Sequence, residues 1–148
     1  MGTVIPWPFP RAAAAAAPRS EPPRLLIVES DRRLRAALIA RFAESGLSAS
    51  VAPEGNAVVR YLALWMEQDA ISAAVDVVVA DVDSPGRSGL DILAAVRARG
   101  WPVRVVLTAR TPRPALRAEV LRLGATALLP RPRNPRQWHR LLDDLIAR

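Results

Sequence analysis

Five short apolar runs alternate with five longer amphipathic stretches between Arg24 and the end of the chain. The runs cover residues 24–29, 47–52, 75–80, 102–109 and 126–130. Short runs rich in Val, Ile and Leu, separated by segments of helical periodicity, are typical of buried parallel strands joined by crossover helices. The sequence therefore predicts an α/β fold, a doubly wound (βα)5 parallel five-stranded sheet with helices on both faces. The weakly apolar second strand is expected at or beside an edge.

Local signals mark the predicted limits of the first two helices. Asp31 is predicted to cap the first helix, which has an apolar residue at every fourth position and ends at Gly46. The second helix is predicted from about residue 56 to residue 68. The inward-facing residues predicted for the two helices are Leu34, Leu38, Phe42, Val58, Leu62, Trp65 and Met66.

Three further helices are predicted in the second half of the chain. The third covers about residues 89–99. For the fourth, Thr111 is predicted as the N-cap and Pro112 as the first helical residue, with an end near Gly124. The last helix has an inward stripe formed by Trp138, Leu141, Leu142, Leu145 and Ile146.

The first 23 residues differ in composition from the rest. They hold six of the 14 prolines and a six-alanine run that is too short for a stable helix alone in water. We expect a disordered tail at 1–23 and one domain at 24–148, with no output domain. No apolar run reaches the roughly 18 residues of a membrane span, and three early prolines interrupt any secretory signal, so we expect a soluble, cytoplasmic protein. The absence of cysteine excludes disulfides and thiolate sites.

Positive charge is concentrated in the final third of the chain. Residues 101–148 hold ten arginines and three acids, whereas residues 1–100 hold eleven of each, and no lysine is present. Such an asymmetry favours an acidic or polyanionic partner, or an arginine-rich surface that is simply solvated. Nucleic-acid binding is a less favoured alternative, because neither a helix-turn-helix signature nor an aromatic stacking platform is present. It would involve Arg110, Arg113, Arg117, Arg122, Arg133, Arg136 and Arg140.

Polar residues follow the ends of four predicted strands. Ligands of such sheets bind beyond the carboxyl ends of the strands, so these side chains are expected to converge. A carboxylate that meets a hydroxyl, a cation and further acids can be phosphorylated on oxygen, since the acids hold a divalent metal while the hydroxyl and the cation bind the phosphoryl oxygens. The residues in question are Glu29, Ser30, Asp31, Asp81, Thr108 and Arg131.

Two other polar residues are weaker candidates. Ser88 lies in GRSG, which lacks the G-x-S-x-G spacing of a hydrolase nucleophile, and no histidine is placed to activate it. The single histidine, His139, falls inside the last predicted helix, and we interpret it as a surface residue.

Four segments resemble, in order and separation, the response-regulator receiver domain of two-component signalling over residues 24–148. They are LLIVESD, VVVADVDSPGRSGLDIL, VVLTA and GATALLPRP. The resemblance implies a flavodoxin-like sheet with strand order 2-1-3-4-5. It also implies that Asp81 is the phosphoacceptor, that Thr108 is the switch hydroxyl after strand four, and that Arg131 occupies the place of a lysine before a proline.

The same resemblance implies a magnesium site. Glu29 and Ser30 occupy the positions of the acidic pair that binds Mg²⁺, Asp81 would be a further ligand, and Asp83 would offer its backbone carbonyl. Asp31 is another candidate ligand, although it is also the predicted helix cap. Because Ser30 is neutral and a poor ligand for a hard cation, we expect Mg²⁺ to bind weakly or not at all.

Two other positions also depart from the family's pattern. Arg131 keeps the positive charge of lysine but has a planar fork in place of a compact ammonium. Leu128 stands where many receivers carry the Tyr or Phe whose rotation reports phosphorylation.

The function implied is that of a stand-alone receiver in phosphorelay signal transduction, a signalling phosphoacceptor and not an enzyme beyond its own phosphorylation and dephosphorylation. It would accept a phosphoryl group on Asp81 from a histidine kinase or a phosphotransfer protein. A downstream protein would bind the face of helix 4, strand 5 and helix 5, and the domain would be a monomer or homodimer. The alternative is a degenerate pseudo-receiver that serves as a phosphorylation-independent binding module.

Overall fold

The computed structural model describes residues 24–45, 48–67, 75–84 and 86–147, without the side chains of residues 65–67 and 146–147. Its strands are β1 (Leu25–Val28), β2 (Ala49–Ala52), β3 (Val77–Asp81), β4 (Arg104–Ala109) and β5 (Ala127–Pro130). Its helices are α1 (Arg32–Ser45), α2 (Gly55–Glu67), α3 (Gly89–Ala98), α4 (Pro114–Arg122) and α5 (Pro135–Ala147). None of these helices is long and apolar enough to cross a membrane.

The strands form one parallel sheet in the order β2-β1-β3-β4-β5. The predicted (βα)5 fold and the edge position of β2 are therefore confirmed. The chain passes from β1 to β2 on one side and then to β3 on the other, so the strand order reverses between β1 and β3. In open α/β sheets the ligand crevice lies at this reversal, beyond the carboxyl ends of the strands.

The sheet lies between two apolar layers, because successive strand residues point to opposite faces. In β1, Leu26 and Val28 join the layer on the α2, α3 and α4 side. Leu25 and Ile27 join the opposite layer with residues of α1 and α5. Apolar residues on both faces of one strand explain why the runs are continuous rather than alternating.

The predicted start of α4 is wrong by two residues. Thr111 is not the N-cap and Pro112 is not the first helical residue; Arg113 is the N-cap and Pro114 begins the helix. The residue before a proline is disfavoured in the helical region, and Arg113 has an extended backbone with φ −68° and ψ 150°. Pro114 therefore prevents the helix from starting earlier.

The other predicted limits differ from the structure by small amounts. Strands β3 and β4 each begin two residues later than predicted, and Asp81 is the last residue of β3. The Asp31 cap is confirmed, since its Oδ1 accepts the Leu34 N–H at 2.8 Å. The predictions for the tail at 1–23, for Gly46 and for the side chains of Trp65, Met66 and Ile146 lie outside the described residues.

Candidate functional site

Asp81 is the centre of a group of polar residues at the carboxyl edge of the sheet. Its side chain is buried, with a residue exposure of 7%. The backbone N–H of Asp83 donates to Oδ1 at 2.9 Å, which fixes the direction of the carboxylate. The turn after β3 is held by Ser84, whose hydroxyl donates to the Asp81 carbonyl at 2.9 Å.

The other carboxylate oxygen of Asp81 faces one residue of the neighbouring strand β4 and one residue that directly follows β5. The Thr108 hydroxyl donates to Oδ2 at 3.0 Å, and both groups are buried. The Arg131 Nε lies 3.9 Å from the same oxygen, and its side chain is about one third exposed. This distance exceeds that of a hydrogen bond, so the contact is a loose ion pair. The predicted convergence of Asp81, Thr108 and Arg131 is confirmed.

Glu29 is the most buried acid of the group, at 3% exposure. Burial raises the pKa of its carboxyl, while the hydrogen bond from the Asp31 backbone N–H and the charge of Arg131 act in the opposite direction. The charges of Asp31 and Asp81 reinforce the upward pKa shift. Glu29 lines a small cleft together with Val28, Ser30, Asp81, Asp83, Ser84, Thr108, Arg131 and Trp138. A carboxylate in this environment gains stability from any cation that enters the cleft.

Ser30 and Asp31 occupy the loop between β1 and α1. Both are exposed, and Ser30 lines the cleft above Asp81. Asp31 uses one carboxylate oxygen to cap α1, which leaves less of it available to a metal. The loop is held by Arg35, which donates to the backbone carbonyls of Glu29 and Ser30 at 3.1 and 3.3 Å.

Helix α3 begins next to the site, and Ser88 is its N-cap. The Ser88 hydroxyl accepts the N–H of Asp91, whose carboxylate accepts the N–H of Ser88 in return. Ser88 is therefore a capping residue, which accounts for a serine in GRSG without a nucleophilic role. Gly89 follows it, and a Cβ there would lie 2.7 Å from the Asp81 carbonyl oxygen.

The family model for the response regulator receiver domain matches residues 25–143. The chain belongs to this family. Receiver domains are signalling domains of two-component response regulators, and their phosphorylation site binds Mg²⁺.

Two curated relatives of this receiver domain are transcriptional regulatory proteins DltR of Streptococcus agalactiae, from two serotypes. Each is 27% identical over 125 residues, which is 84% of this chain and 49% of the relative. The chain thus spans about half the length of the curated relatives it matches.

Solved receiver domains share the fold. The receiver of a Francisella response regulator has a TM-score of 0.64 at 19% identity, covering 84% of this chain and 97% of that one. The NarL receiver of Mycobacterium tuberculosis has a TM-score of 0.64 at 23% identity, covering 86% and 98%. CheY in a CheX-CheY-BeF3-Mg²⁺ complex from Borrelia burgdorferi has a TM-score of 0.63 at 18% identity, covering 83% and 89%.

The residues that line this receiver's cleft offer oxygen donors to a metal ion. Glu29 and Asp81 supply two carboxylates, and Asp83 lines the same cleft. Within the described ranges, no group of three or more Asp, Glu, His or Cys side chains is arranged to hold a metal. Mg²⁺ commonly binds through one or two carboxylates and keeps several waters. The residues therefore fit a largely hydrated Mg²⁺.

Three residues that line the cleft, Val28, Ser84 and Trp138, were not indicated as site residues by the sequence, and Trp138 is the largest of them. It begins the inward stripe of α5, and it lines the cleft of about 140 Å³ together with Asp81, Thr108 and Arg131. Its position seven residues after Arg131 carries no motif. The only signal in the sequence is a large aromatic residue one turn into the helix that follows the fifth strand.

His139, adjacent to Trp138, does not reach the site. Its Nε2 lies 3.5 Å from Asp143 on the same helix. His139 was predicted to be a surface residue, and in the structure it is half-buried. A wider groove of about 1080 Å³ shares Glu29 and Arg131 with the cleft and continues along Leu129, Arg133 and Gln137.

Proposed function

We propose that this receiver domain accepts a phosphoryl group on Asp81 from a histidine kinase or a phosphotransfer protein. One observation carries the proposal: a single oxygen of a buried carboxylate meets a hydroxyl from β4 and a guanidinium from the residue that follows β5. A purely structural aspartate at a turn needs neither partner. The arrangement suits a phosphoryl group, whose oxygens accept hydrogen bonds and are stabilised by nearby positive charge.

The reaction follows from the positions of these groups. An oxygen of Asp81 attacks the phosphorus of a phosphohistidine in line, the nitrogen–phosphorus bond breaks, and the imidazole leaves with the electron pair. Arg131 provides positive charge beside the equatorial oxygens, and Thr108 exchanges its hydrogen bond to Asp81 for one to the phosphoryl group. The wide groove shares Glu29 and Arg131 with the cleft that holds Asp81, and we propose that the donor protein binds along it.

We propose that Glu29, Asp81 and the backbone carbonyl of Asp83 hold Mg²⁺, and that they hold it weakly. When bound, the ion neutralises charge as the phosphoryl group is transferred. Ser30 lines the cleft but brings no negative charge, and Asp31 is engaged in capping α1. Two carboxylates are fewer than a receiver with a full acidic pair would supply.

We propose that the downstream partner binds the face formed by α4, β5 and α5. Helix α4 buries Val120, whereas Leu121 and Leu123 are 46% and 42% exposed. Arg117 and Arg122 flank these leucines and are themselves exposed. An apolar pair bordered by arginines fits an acidic partner with apolar residues of its own. The stand-alone organisation, the cytoplasmic location and the monomeric or dimeric state stay predictions.

A phosphorylation-independent binding module is the second candidate. It is favoured by the weak donor set for Mg²⁺ and by Leu128, which is buried in the apolar layer and has no polar group to report phosphorylation. In that case the face of α4 would act without any change at Asp81. A signalling phenotype that changes with Asp81→Asn, at constant protein level and fold, would exclude this candidate.

The only support for nucleic-acid association among the described residues is that the arginines in question are exposed. All seven arginines that the sequence indicated are exposed, on α4, on α5 and on the adjoining loops. A gel-shift titration at low salt that detects no binding would remove this possibility, because phosphate contacts are strongest there.

Intact-mass measurement tests the proposed phosphorylation. The protein is incubated with phosphoramidate and Mg²⁺, alongside Asp81→Asn and the matched control Asp143→Asn, whose residue is exposed on α5 and lines neither the cleft nor the groove. We expect one added phosphoryl group on the wild type and on Asp143→Asn, and none on Asp81→Asn. No added mass on the wild type, under conditions that label an ordinary receiver, would overturn the proposal.

A further inference from the structure

Trp138 lines the cleft that holds Asp81, and its side chain has a buried polar atom without a partner. The residue is 2% exposed, and its indole nitrogen makes no hydrogen bond to any described residue. Nearly all buried polar groups in proteins have a partner, so an unpaired donor needs an explanation. This one belongs to a side chain that lines the cleft with Asp81 and Arg131.

The indole ring is held firmly in place. It packs into the apolar layer with Leu141, Leu142 and residues of β1 and β3. The Trp138 backbone N–H donates to the Asn134 carbonyl at 3.1 Å, in the first turn of α5. A rigid ring fixes the direction of its N–H, so the donor is organised before any ligand arrives.

We propose that the Trp138 indole N–H donates a hydrogen bond to an oxygen of the phosphoryl group on Asp81. This inference rests on the proposed function and adds a binding residue to it. The indole nitrogen is a donor only, so it cannot accept from Arg131 or Thr108 and requires an oxygen ligand. A donor to a phosphoryl oxygen forms a charge-assisted hydrogen bond, which is stronger than a neutral one.

This role also suits the loose contact of Arg131. Its Nε is 3.9 Å from Asp81, too far to hydrogen-bond that oxygen directly. Trp138 on α5 would add a second donor to the charge that Arg131 supplies. Trp138 and Arg131 would then act from the same side of the cleft, while Thr108 acts from β4, the strand next to that of Asp81.

The indole resonances of ¹⁵N-labelled protein provide the direct test. Beryllium fluoride with Mg²⁺ serves as the probe, since it forms a phosphoryl-like group on a carboxylate, and ¹⁹F spectra report whether it binds. The Trp138 signal is assigned with Trp138→Phe. We expect it to move downfield when bound fluoride appears, while the signal of Trp101, which lies next to the opposite end of β4, stays in place.

The outcomes separate the two proposals. Bound fluoride with an unmoved Trp138 signal overturns the inference and leaves the proposed function intact. No bound fluoride on the wild type overturns the proposed function, and the inference with it. Bound fluoride with a downfield shift confined to Trp138 supports both.

A pair of matched variants gives a second measurement. Trp138→Phe keeps a ring but removes the N–H, and we expect about tenfold weaker binding of beryllium fluoride, the effect of losing one charge-assisted hydrogen bond. Trp101→Phe makes the same change at a residue of similar burial near the opposite edge, and we expect unchanged affinity. Equal affinities for Trp138→Phe and the wild type would overturn the inference. The resonance test on the wild type stands even if a variant fails to fold.

Discussion

Thr108 donates its hydroxyl to Asp81 at 3.0 Å, and the two residues are also partners in the register of β3 and β4. Parallel pairing thus brings together two groups that lie 27 residues apart in the chain. The distance between them is set by the backbone of the sheet and not by loop conformation. The carboxylate and its hydroxyl partner are therefore both positioned by the sheet itself.

Replacing Thr108 tests what this hydrogen bond contributes. We expect Thr108→Ala to lower the free energy of unfolding by about 1–3 kcal/mol, because a buried carboxylate loses a partner. Thr108→Ser keeps the hydroxyl, so we expect it to lower the free energy of unfolding by less than Thr108→Ala does. Urea unfolding measures both, and equal stability of the Ala variant and the wild type would contradict the assigned contact.

Arg131 is expected to contribute charge rather than a specific geometry. Since its guanidinium makes a loose contact at 3.9 Å, Arg131→Lys should be phosphorylated at least as fast as the wild type. Arg131→Met keeps an unbranched apolar stem without charge and should be labelled several-fold more slowly. The time course of labelling by phosphoramidate checks this order. Lysine and methionine variants that are equally slow would show that the guanidinium itself is required.

Ser30→Asp should make the stability of the domain depend on Mg²⁺. The new carboxylate would face Glu29 and Asp81 across the cleft and repel them in the absence of a cation. We expect a lower urea midpoint in chelator and recovery on addition of Mg²⁺, with at least tenfold tighter Mg²⁺ binding than the wild type. Ser48→Asp, at the opposite edge of the sheet, is the control and should show no such recovery. A Ser30→Asp variant indifferent to Mg²⁺ would refute the assigned metal position.

Gly89 sets the position of the Asp81 backbone. A Cβ at residue 89 would lie 2.7 Å from the Asp81 carbonyl oxygen and 2.8 Å from Leu107. We expect Gly89→Ala to destabilise the domain by about 1–3 kcal/mol and to slow labelling of Asp81, because the end of β3 must move. Ala94→Ser adds one atom on the exposed side of the same helix and should change neither quantity. Thermal unfolding and the labelling rate test both statements.

The parallel sheet, and the convergence of the site residues at its carboxyl edge, both follow from features of the sequence. Continuous apolar runs require burial on both faces, parallel strands then follow, and parallel strands bring their carboxyl ends to one edge. Glu29, Asp81, Thr108 and Arg131 could therefore be placed together before any coordinates were known. Their relative distances depend on register, which the runs do not specify.

The parts that escaped prediction depend on competing local signals or on packing. Two prolines, at 112 and 114, each suit the start of a helix, and the restraint that Pro114 imposes on Arg113 decides between them. Asp31 suits both a cap and a metal ligand, and the structure shows it as the cap. Trp138 reaches the cleft only because α5 packs against the sheet at a particular height, and no pattern in the sequence encodes that height.

Locating the phosphoryl group on the chain is the most direct test of the central claim. The protein is treated with phosphoramidate and Mg²⁺, the acyl phosphate is reduced with borohydride, and the peptides are sequenced by tandem mass spectrometry. We expect the aspartate at position 81 to be recovered as homoserine, and the other acids, Glu29 and Asp83 among them, to be unchanged. Reduction at another acid, or at none while an ordinary receiver is reduced in parallel, would contradict the account.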